Sequence, residues 1–252
     1  MSRVDFVQSL ERGLAVIRSF DADHPELTLS EVASRTGLTR ATARRLLLTL
    51  AELGYVSTNG RRFSLTPRVL DVGYAYLSSL NVQQIAQPYL EALSERVHES
   101  VSVTVLDGAD IVYVARVPTK RIMTISLGLG SRLPAYCTSM GRVLLAELAT
   151  DDLGDALPAR LERHTEHTIT SPADLAVALK QVRAQGWALV DQELEIGLRS
   201  VAAPLRDGSG RALAAMNIST QVTRTPVEQI HDQLVPDLVA TAGRISEALA
   251  KR

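Results

Sequence analysis

The chain contains a single cysteine, Cys137, in 252 residues, which rules out an intrachain disulfide. No apolar run approaches the roughly 18 residues that a membrane-spanning helix needs. The opening stretch, MSRVDFVQSLERG, has acidic residues where a secretory signal would carry its apolar segment. These absences point to a cytoplasmic protein. The common catalytic signatures are missing as well. There is no G-x-x-x-x-G-K-[ST] and no H-E-x-x-H, and GLGS at 128–131 lacks the spacing of a dinucleotide fingerprint. His164 and His167 stand three apart with no cysteine or third histidine close by, so an exposed loop is expected there rather than a metal site. No metal, no cofactor and no enzymatic activity are expected. A net charge of −1 decides nothing about nucleic acid by itself. An apolar fraction of 46% and a charged fraction of 22% suit a chain that buries a real core, and the length suits two domains.

The charge that is present is unevenly placed. Arg35, Arg40, Arg44, Arg45, Arg61, Arg62 and Arg68 stand in one window whose only acid is Glu52, while the chain from residue 79 onward is mildly acidic. A basic patch on a near-neutral chain is the electrostatic footprint of a DNA-binding module. The pattern around it agrees. Residues 6–20 set Leu10, Leu14, Val16 and Ile17 at helical spacing, and the loop DADHPE ends that helix. Thr28 and Glu31 form a T-x-x-E capping box opening a second, short helix, with Leu29, Val32 and Ala33 facing inward. Gly37 suits a turn of positive φ, Leu38 a plug between helices, and Thr39 the cap of a third helix. Ala43, Leu46, Leu47, Leu50 and Leu53 make the buried stripe of that helix; Ala41, Arg44, Arg45 and Leu48 project the other way. This is a helix-turn-helix, whose second helix enters the major groove. In YVSTNGRRFSLT, Asn59-Gly60 reads as the two-residue turn of a hairpin, with Arg61 and Arg62 just past its tip. A basic hairpin after a recognition helix is a wing.

Thr66-Pro67 reads as a helix start, and PRVLDVGYAYLSSL carries apolar residues (Val69, Leu70, Val72, Tyr74, Tyr76, Leu77) around most of its circumference. Such a helix packs either on its own domain or on a second copy of the chain. Beyond it, Ile85, Tyr89, Leu93 and Val97 mark a helix with Pro88 at its start or at a kink. SVSVTVL and DIVYVARV alternate about Asp107-Gly108, and IMTISL at 122–127 reads as another strand. A helix is expected over 139–148 and another from Ser171-Pro172 to Gly186. WALVD, RSVAAPL and RALAAMNIS read as strands, the last pair joined by DGSG. Thr225-Pro226-Val227-Glu228 reads as a capping box opening a long terminal helix that kinks at Pro236. The segment Tyr136–Gly141 joins a loop to a helix start, whose free N–H groups suit a carboxylate. Ser200, Asn217 and Ser219 are polar on otherwise apolar strands, so they either line a pocket or bond to backbone. Arg199 and Arg132 could each pair with a carboxylate or serve as salt-bridge partners, the latter being preferred for Arg132. Cys137 reads as a small packed residue that could still touch a ligand.

The stretch from VQSLERGLAVIRSF to LLLTLAELGYV resembles the IclR family of bacterial regulators, most of all its protocatechuate and β-ketoadipate subgroup. GRRFSLTPRVLDVGYAYLSSL, PAYCTSMGRVLLA and DQELEIGLRSVAAPL extend the resemblance over essentially the whole chain. It implies an α+β protein of two domains: a winged helix-turn-helix over 1–66, a linker and dimerisation helix over 67–80, and an effector-binding domain over 81–252 with a GAF-like mixed sheet and packed helices. The candidate DNA-contacting residues are Ser30, Thr39, Arg40, Ala41, Thr42, Arg44 and Arg45, with Arg61 and Arg62 from the wing. Gln8, Ser9 and Arg12 are candidates for phosphate contact. Family effector positions fall on Leu133, Ser139, Met140, Val190, Leu198, Ser200, Asn217 and Ser219; Tyr136, Cys137 and Arg199 complete the candidate pocket. Val190 cannot hydrogen-bond and Met140 is bulkier than the small residue some members carry, which favours a ligand larger or more apolar than pyruvate. The implied partners are a pseudo-palindromic double-stranded operator, a small organic acid such as β-ketoadipate or protocatechuate, and a second copy of the chain, with pairing of dimers into tetramers left open. The rival readings are a ligand-independent architectural DNA-binding dimer and an enzyme with an accessory DNA-binding module.

Overall fold

The computed structural model describes residues 6–73, 82–119 and 127–251. The chain divides into two compact units, Met1–Ser79 and Leu80–Arg252.

The first unit orders as α1 (Gln8–Arg18), β1 (Glu26–Thr28), α2 (Leu29–Thr36), α3 (Arg40–Glu52), β2 (Val56–Thr58) and β3 (Arg62–Leu65). Its core gathers Val16, Leu27, Val32, Ala43, Leu47, Leu50 and Val56 from all three helices and two strands. The capping box forms as expected. The Thr28 N–H donates to Glu31 Oε2 at 2.6 Å, and the Glu31 N–H donates back to Thr28 Oγ1 at 3.4 Å. Gly37 ends α2 at φ +67°, and Thr39 caps α3 by accepting the Thr42 N–H at 3.2 Å. Three expectations change. Leu10 and Leu14 are exposed, because α1 turns Val16 inward and leaves Leu10 and Leu14, with Phe6 just ahead of the helix, uncovered within the chain. Leu53 is exposed too, since α3 has ended before it. The loop after α1 closes into a strand, β1, because Leu27 reaches the core and its backbone pairs with Phe63. The wing is therefore three strands, in the order β1-β3-β2. The chain becomes helical again at 69–73; the rest of the linker helix, with Tyr74, Tyr76 and Leu77, lies outside the described residues, as does the strand expected at 122–127 except for its last residue.

The second unit holds α4 (Val82–Val97), β4 (Ser100–Asp107), β5 (Asp110–Val117), β6 (Arg132–Pro134), α5 (Ser139–Glu147), α6 (Thr150–Leu153), α7 (Pro172–Gln185), β7 (Ala188–Asp191), β8 (Leu198–Arg206), β9 (Ala212–Gln221), α8 (Val227–Gln229) and α9 (Val235–Ala250). The strands form one sheet in the order β6-β5-β4-β9-β8-β7. The α+β architecture stands, but the sheet expected to be mixed is antiparallel at every pairing among the described residues. The β4–β5, β7–β8 and β8–β9 connections are hairpins, which need no crossover. Both faces are covered: α4 and α9 pack on the β4, β5, β8 and β9 side, and α5, backed by α7, packs across β4, β7, β8 and β9. This double cover explains why β4 is buried from Ser100 to Val105 without the alternation of a half-exposed strand. The inward stripe of α4 is Val82, Ala86, Leu90 and Leu93; Ile85 and Tyr89 flank it, and Pro88 lies inside the helix. Thr225 is not a cap. Its hydroxyl pairs with that of Thr220 at 2.6 Å, and α8 starts from Pro226 without a side-chain cap. A π-helical turn, Ile230–Leu234, stands where a kink at Pro236 was expected, and Pro236 sits at the start of α9.

A Cβ at Gly37 would meet nothing within 4 Å, so an alanine there is penalised by its backbone alone. Gly37→Ala should lose about 1–2 kcal/mol in urea denaturation, and Gly37→Asn less, because asparagine visits the left-handed region more readily. Equal midpoints for all three proteins would show that the turn does not depend on positive φ.

Candidate DNA interface and ligand pocket

The seven arginines between residues 35 and 68 separate into two groups. Arg35 is tied to Asp21 at 2.5 Å, Arg62 reaches the Glu26 carbonyl at 3.3 Å, and Arg68 lies over the Tyr55 ring. These three brace the unit. Arg40, Arg44, Arg45 and Arg61 are exposed, as are Ser30, Thr39 and Ala41, with Thr42 half-buried. Thr39 and Thr42 are occupied with each other in the cap of α3. The wing turn is shifted by one residue from the sequence expectation. Thr58 pairs with Phe63 and the Asn59 N–H donates to the Arg62 carbonyl, so Gly60 and Arg61 are the central pair. Gly60, at φ +86°, occupies the position where a type II′ turn carries its glycine. The Asn59 side chain accepts the N–H groups of Arg61 and Arg62, which explains the shift. Arg61 therefore sits at the tip itself.

The second unit encloses a cavity of about 660 Å3, part of it open to solvent, between the sheet and the start of α5. Its floor is a polar grid that strand register assembles. One row runs Ser100, Ser219, Ser200, Val190 across β4, β9, β8 and β7; the next runs Arg116, Ser102, Asn217 across β5, β4 and β9. Asn217 Nδ2 donates to the hydroxyls of Ser200 and Ser219, each at 2.8 Å, and Ser200 pairs with Ser139 of α5 at 2.7 Å. Of the sequence candidates, Leu133, Cys137, Ser139, Met140, Val190, Leu198, Ser200, Asn217 and Ser219 line this space. Two do not. Strand parity turns Arg199 to the opposite face, where it binds Asp191 and the Thr225 carbonyl, both at 2.8 Å. Tyr136 donates its hydroxyl to the Glu162 carbonyl at 2.7 Å, and its ring stacks on His164. Arg132 is the structural partner expected, bridging Asp107 and Asp110.

Sequence reading missed Arg116, Ser100, Ser102, Tyr113, Glu193 and Glu195, all of which line the cavity. The serines were legible, since S-V-S-V-T puts its hydroxyls on one face. Arg116 was not. A bulge between β4 and β5 skips Val114, so Tyr113 and Arg116, three apart, share a face that simple alternation denies them.

The helix start beside the cavity is held from two sides. A Cβ on Gly141 would overlap the backbone of Ala135, so only glycine lets α5 approach this closely. The next residue, Arg142, is buried; it bonds the Tyr136 carbonyl at 3.0 Å and pairs with Glu193 at 2.5 Å. Glu193 also accepts the Ile169 N–H at 3.1 Å, and its carbonyl accepts the Thr168 hydroxyl at 2.6 Å. The pair thus fastens α5 to the cavity wall that follows β7. Burial, with the neighbouring Glu193 carboxylate, pushes the Cys137 thiol up to about 12. Cys137 is a protonated, packed residue at neutral pH and no nucleophile. Among the described residues no group of His, Cys, Asp and Glu is placed to hold a metal ion, and no helix is long and apolar enough to cross a membrane.

A three-helix unit with a basic wing, on one chain with a domain enclosing a polar-floored pocket, defines a DNA-binding transcriptional regulator. The comparisons identify which kind. Residues 9–60 match the IclR helix-turn-helix domain, and residues 74–247 match the bacterial transcriptional regulator IclR C-terminal domain. The chain belongs to the IclR family. It is 47% identical over 240 residues to the Pca regulon regulatory protein of Pseudomonas putida, covering 94% of this chain and 82% of that protein. A crystal structure of a transcriptional regulator from Rhodococcus sp. RHA1 superposes with a TM-score of 0.85 at 57% identity, covering 97% of this chain and 98% of that one. The inducer-binding domain of a double mutant of the PobR transcription factor from Acinetobacter, in complex with 3-hydroxybenzoic acid, matches 65% of this chain and 96% of its own at 32% identity, with a TM-score of 0.60. The relatives are named as regulators, not enzymes.

Removing Glu193 alone leaves a buried guanidinium without its carboxylate. Glu193→Ala should cost about 3–5 kcal/mol in denaturant unfolding, while Arg142→Met combined with Glu193→Leu recovers most of that loss. A double variant no more stable than the single one would assign the cost to packing rather than charge.

Proposed function

We propose that this protein binds a pseudo-palindromic operator as a dimer and that a small organic acid of aromatic catabolism modulates the binding, with protocatechuate and β-ketoadipate as the candidate effectors. The observation carrying the effector half is the pocket itself: among the described residues a guanidinium, a grid of hydroxyls and an amide stand under apolar walls, which suits a small organic acid. The Pca name of one relative and the 3-hydroxybenzoic acid bound by another support an aromatic-acid pathway. A regulator of this kind works in the cytoplasm, where its operator is.

For DNA, the reading set is Arg40, Ala41, Thr42, Arg44 and Arg45 at the start of α3, with Ser30 and Thr39 beside them and Arg61 from the wing; Arg62 contributes mainly by bracing β3 against β1. Gln8, Ser9 and Arg12 are proposed to reach phosphates. The exposed apolar residues Phe6, Leu10 and Leu14, with Leu70 and Val72 of the linker, supply surface for a second copy. Ligand then acts by binding one dimer arrangement better than the other, with a coupling of about 1–3 kcal/mol that must be reciprocal.

Arg45→Ala should relax base preference at one operator position at a cost of about 1–3 kcal/mol, whereas Arg61→Ala should weaken all sequences alike and flatten the salt dependence. Fluorescence-anisotropy titrations on operator variants at several salt concentrations separate the two; a base-specific loss for Arg61→Ala would contradict its phosphate role. Ser200→Ala combined with Asn217→Ala should abolish the effect of the acid on operator binding while leaving operator affinity without the acid intact. A double variant that still responds would move the effector site elsewhere.

A further inference from the structure

A second cavity, of about 730 Å3 and part of it open to solvent, lies at the edge of the sheet where β7 is the outer strand. We infer that it is a further small-molecule site, separate from the effector pocket, and that it takes a small uncharged aromatic amide.

The cavity is built from three elements. α7 presents Ala178, Val182 and Gln185, spaced four and three apart on one face of the helix, and β7 adds Leu189. Ala178 is small, which leaves room for a ring. Trp187, half-buried, stands between α7 and β7, and its indole meets the His231 ring of the π-helical turn in a T-shape at 5.3 Å. An indole held in this way at a cavity wall is a surface for a flat aromatic ring.

Arg142 reaches this cavity from α5. It is 4% exposed, and two of its three nitrogens are spent: Nε donates to the Tyr136 carbonyl at 3.0 Å and Nη2 to Glu193 at 2.5 Å. Nη1 makes no hydrogen bond among the described residues and is not sealed from solvent, so it is the nitrogen open to the cavity. Guanidinium nitrogens only donate, so a ligand there must accept. The charge of Arg142 is already matched by the Glu193 carboxylate. A ligand carboxylate would bring a second negative charge beside Glu193 in a partly desolvated space, whereas an amide carbonyl accepts from Nη1 without that penalty.

Gln185 supplies the complement. Its Nε2 donates to the Trp187 carbonyl at 2.7 Å, which fixes the side chain and leaves Oε1 as an acceptor. An N–H on the ligand satisfies it. One donor, one acceptor and an aromatic wall together describe a ring bearing a carboxamide. Glu193 lines the effector pocket and Arg142 lines this cavity, so the two spaces have the buried ion pair in common and no lining residue. The inference does not depend on which acid the effector pocket takes.

The test uses Trp187, the only tryptophan of the chain, as its own reporter. Titrating the full-length protein with benzamide should give a saturable change in tryptophan fluorescence, and benzoate should need about tenfold or more higher concentration for the same change. Ala178→Phe, which fills the cavity, should abolish the response to benzamide, and Gln185→Leu should weaken it by about tenfold, with folding of both variants checked by circular dichroism. No saturable change with benzamide, or benzoate binding as tightly, would overturn the inference. So would an unaltered response in both folded variants, which would place benzamide in the effector pocket instead. None of these results bears on the effector reading, which is tested by its own variants at Ser200 and Asn217.

Discussion

The close approach of α5 to the backbone of Ala135 is the constraint on which the second unit depends. Glycine at position 141 permits it, and the buried Arg142–Glu193 pair fixes it. Without that approach Ser139 would not reach Ser200, Cys137 and Met140 would not close the roof over the sheet, and the wall beyond β7 would lose its anchor at Ile169. Burying an ion pair is expensive unless its remaining polar positions are satisfied. Here the backbone supplies them, through the Tyr136 carbonyl on one side and the Ile169 N–H on the other. The pair adds definition more than net stability. It ties three segments distant in sequence to one geometry around a cavity.

The wall so anchored is a tight loop. Gln192 adopts φ +60°, uncommon for a residue with a side chain, and its own amide oxygen accepts the Gly197 N–H at 3.1 Å. The loop closes by a backbone bond from the Gln192 N–H to the Leu198 carbonyl at 2.8 Å. Strain held by local hydrogen bonds beside a pocket keeps Glu193, Leu194 and Glu195 where a ligand would meet them. The first unit follows a similar economy. Asp21, the Glu26 carbonyl and the Tyr55 ring engage three of the arginines between residues 35 and 68; the other four stand at the start of α3 and at the wing tip.

Where local sequence carries its own physical signal, it was readable. The Thr28–Glu31 box, the positive-φ glycine at 37, the cap at Thr39 and the helix from Ser171 to Gly186 all depend on residues within one turn of each other, and all are present. Local reading failed where the decisive partner is remote. Thr225 has the spacing of a cap, yet its hydroxyl is taken by Thr220 and its carbonyl by Arg199. Leu27 looks like loop until Phe63 comes to pair with it.

The sequence by itself determined the class of protein, the boundaries of most helices, and part of the pocket's apolar and hydroxyl lining, because periodicity, caps and motif spacing are short-range properties. Tertiary structure alone decided which charges face the pocket. Arg199 looked well placed but points away by strand parity, and Arg116 enters because one bulged residue, Val114, reverses that parity on β5. Register between strands is set by contacts across the whole sheet, so the composition of the polar floor could not be read from any one strand.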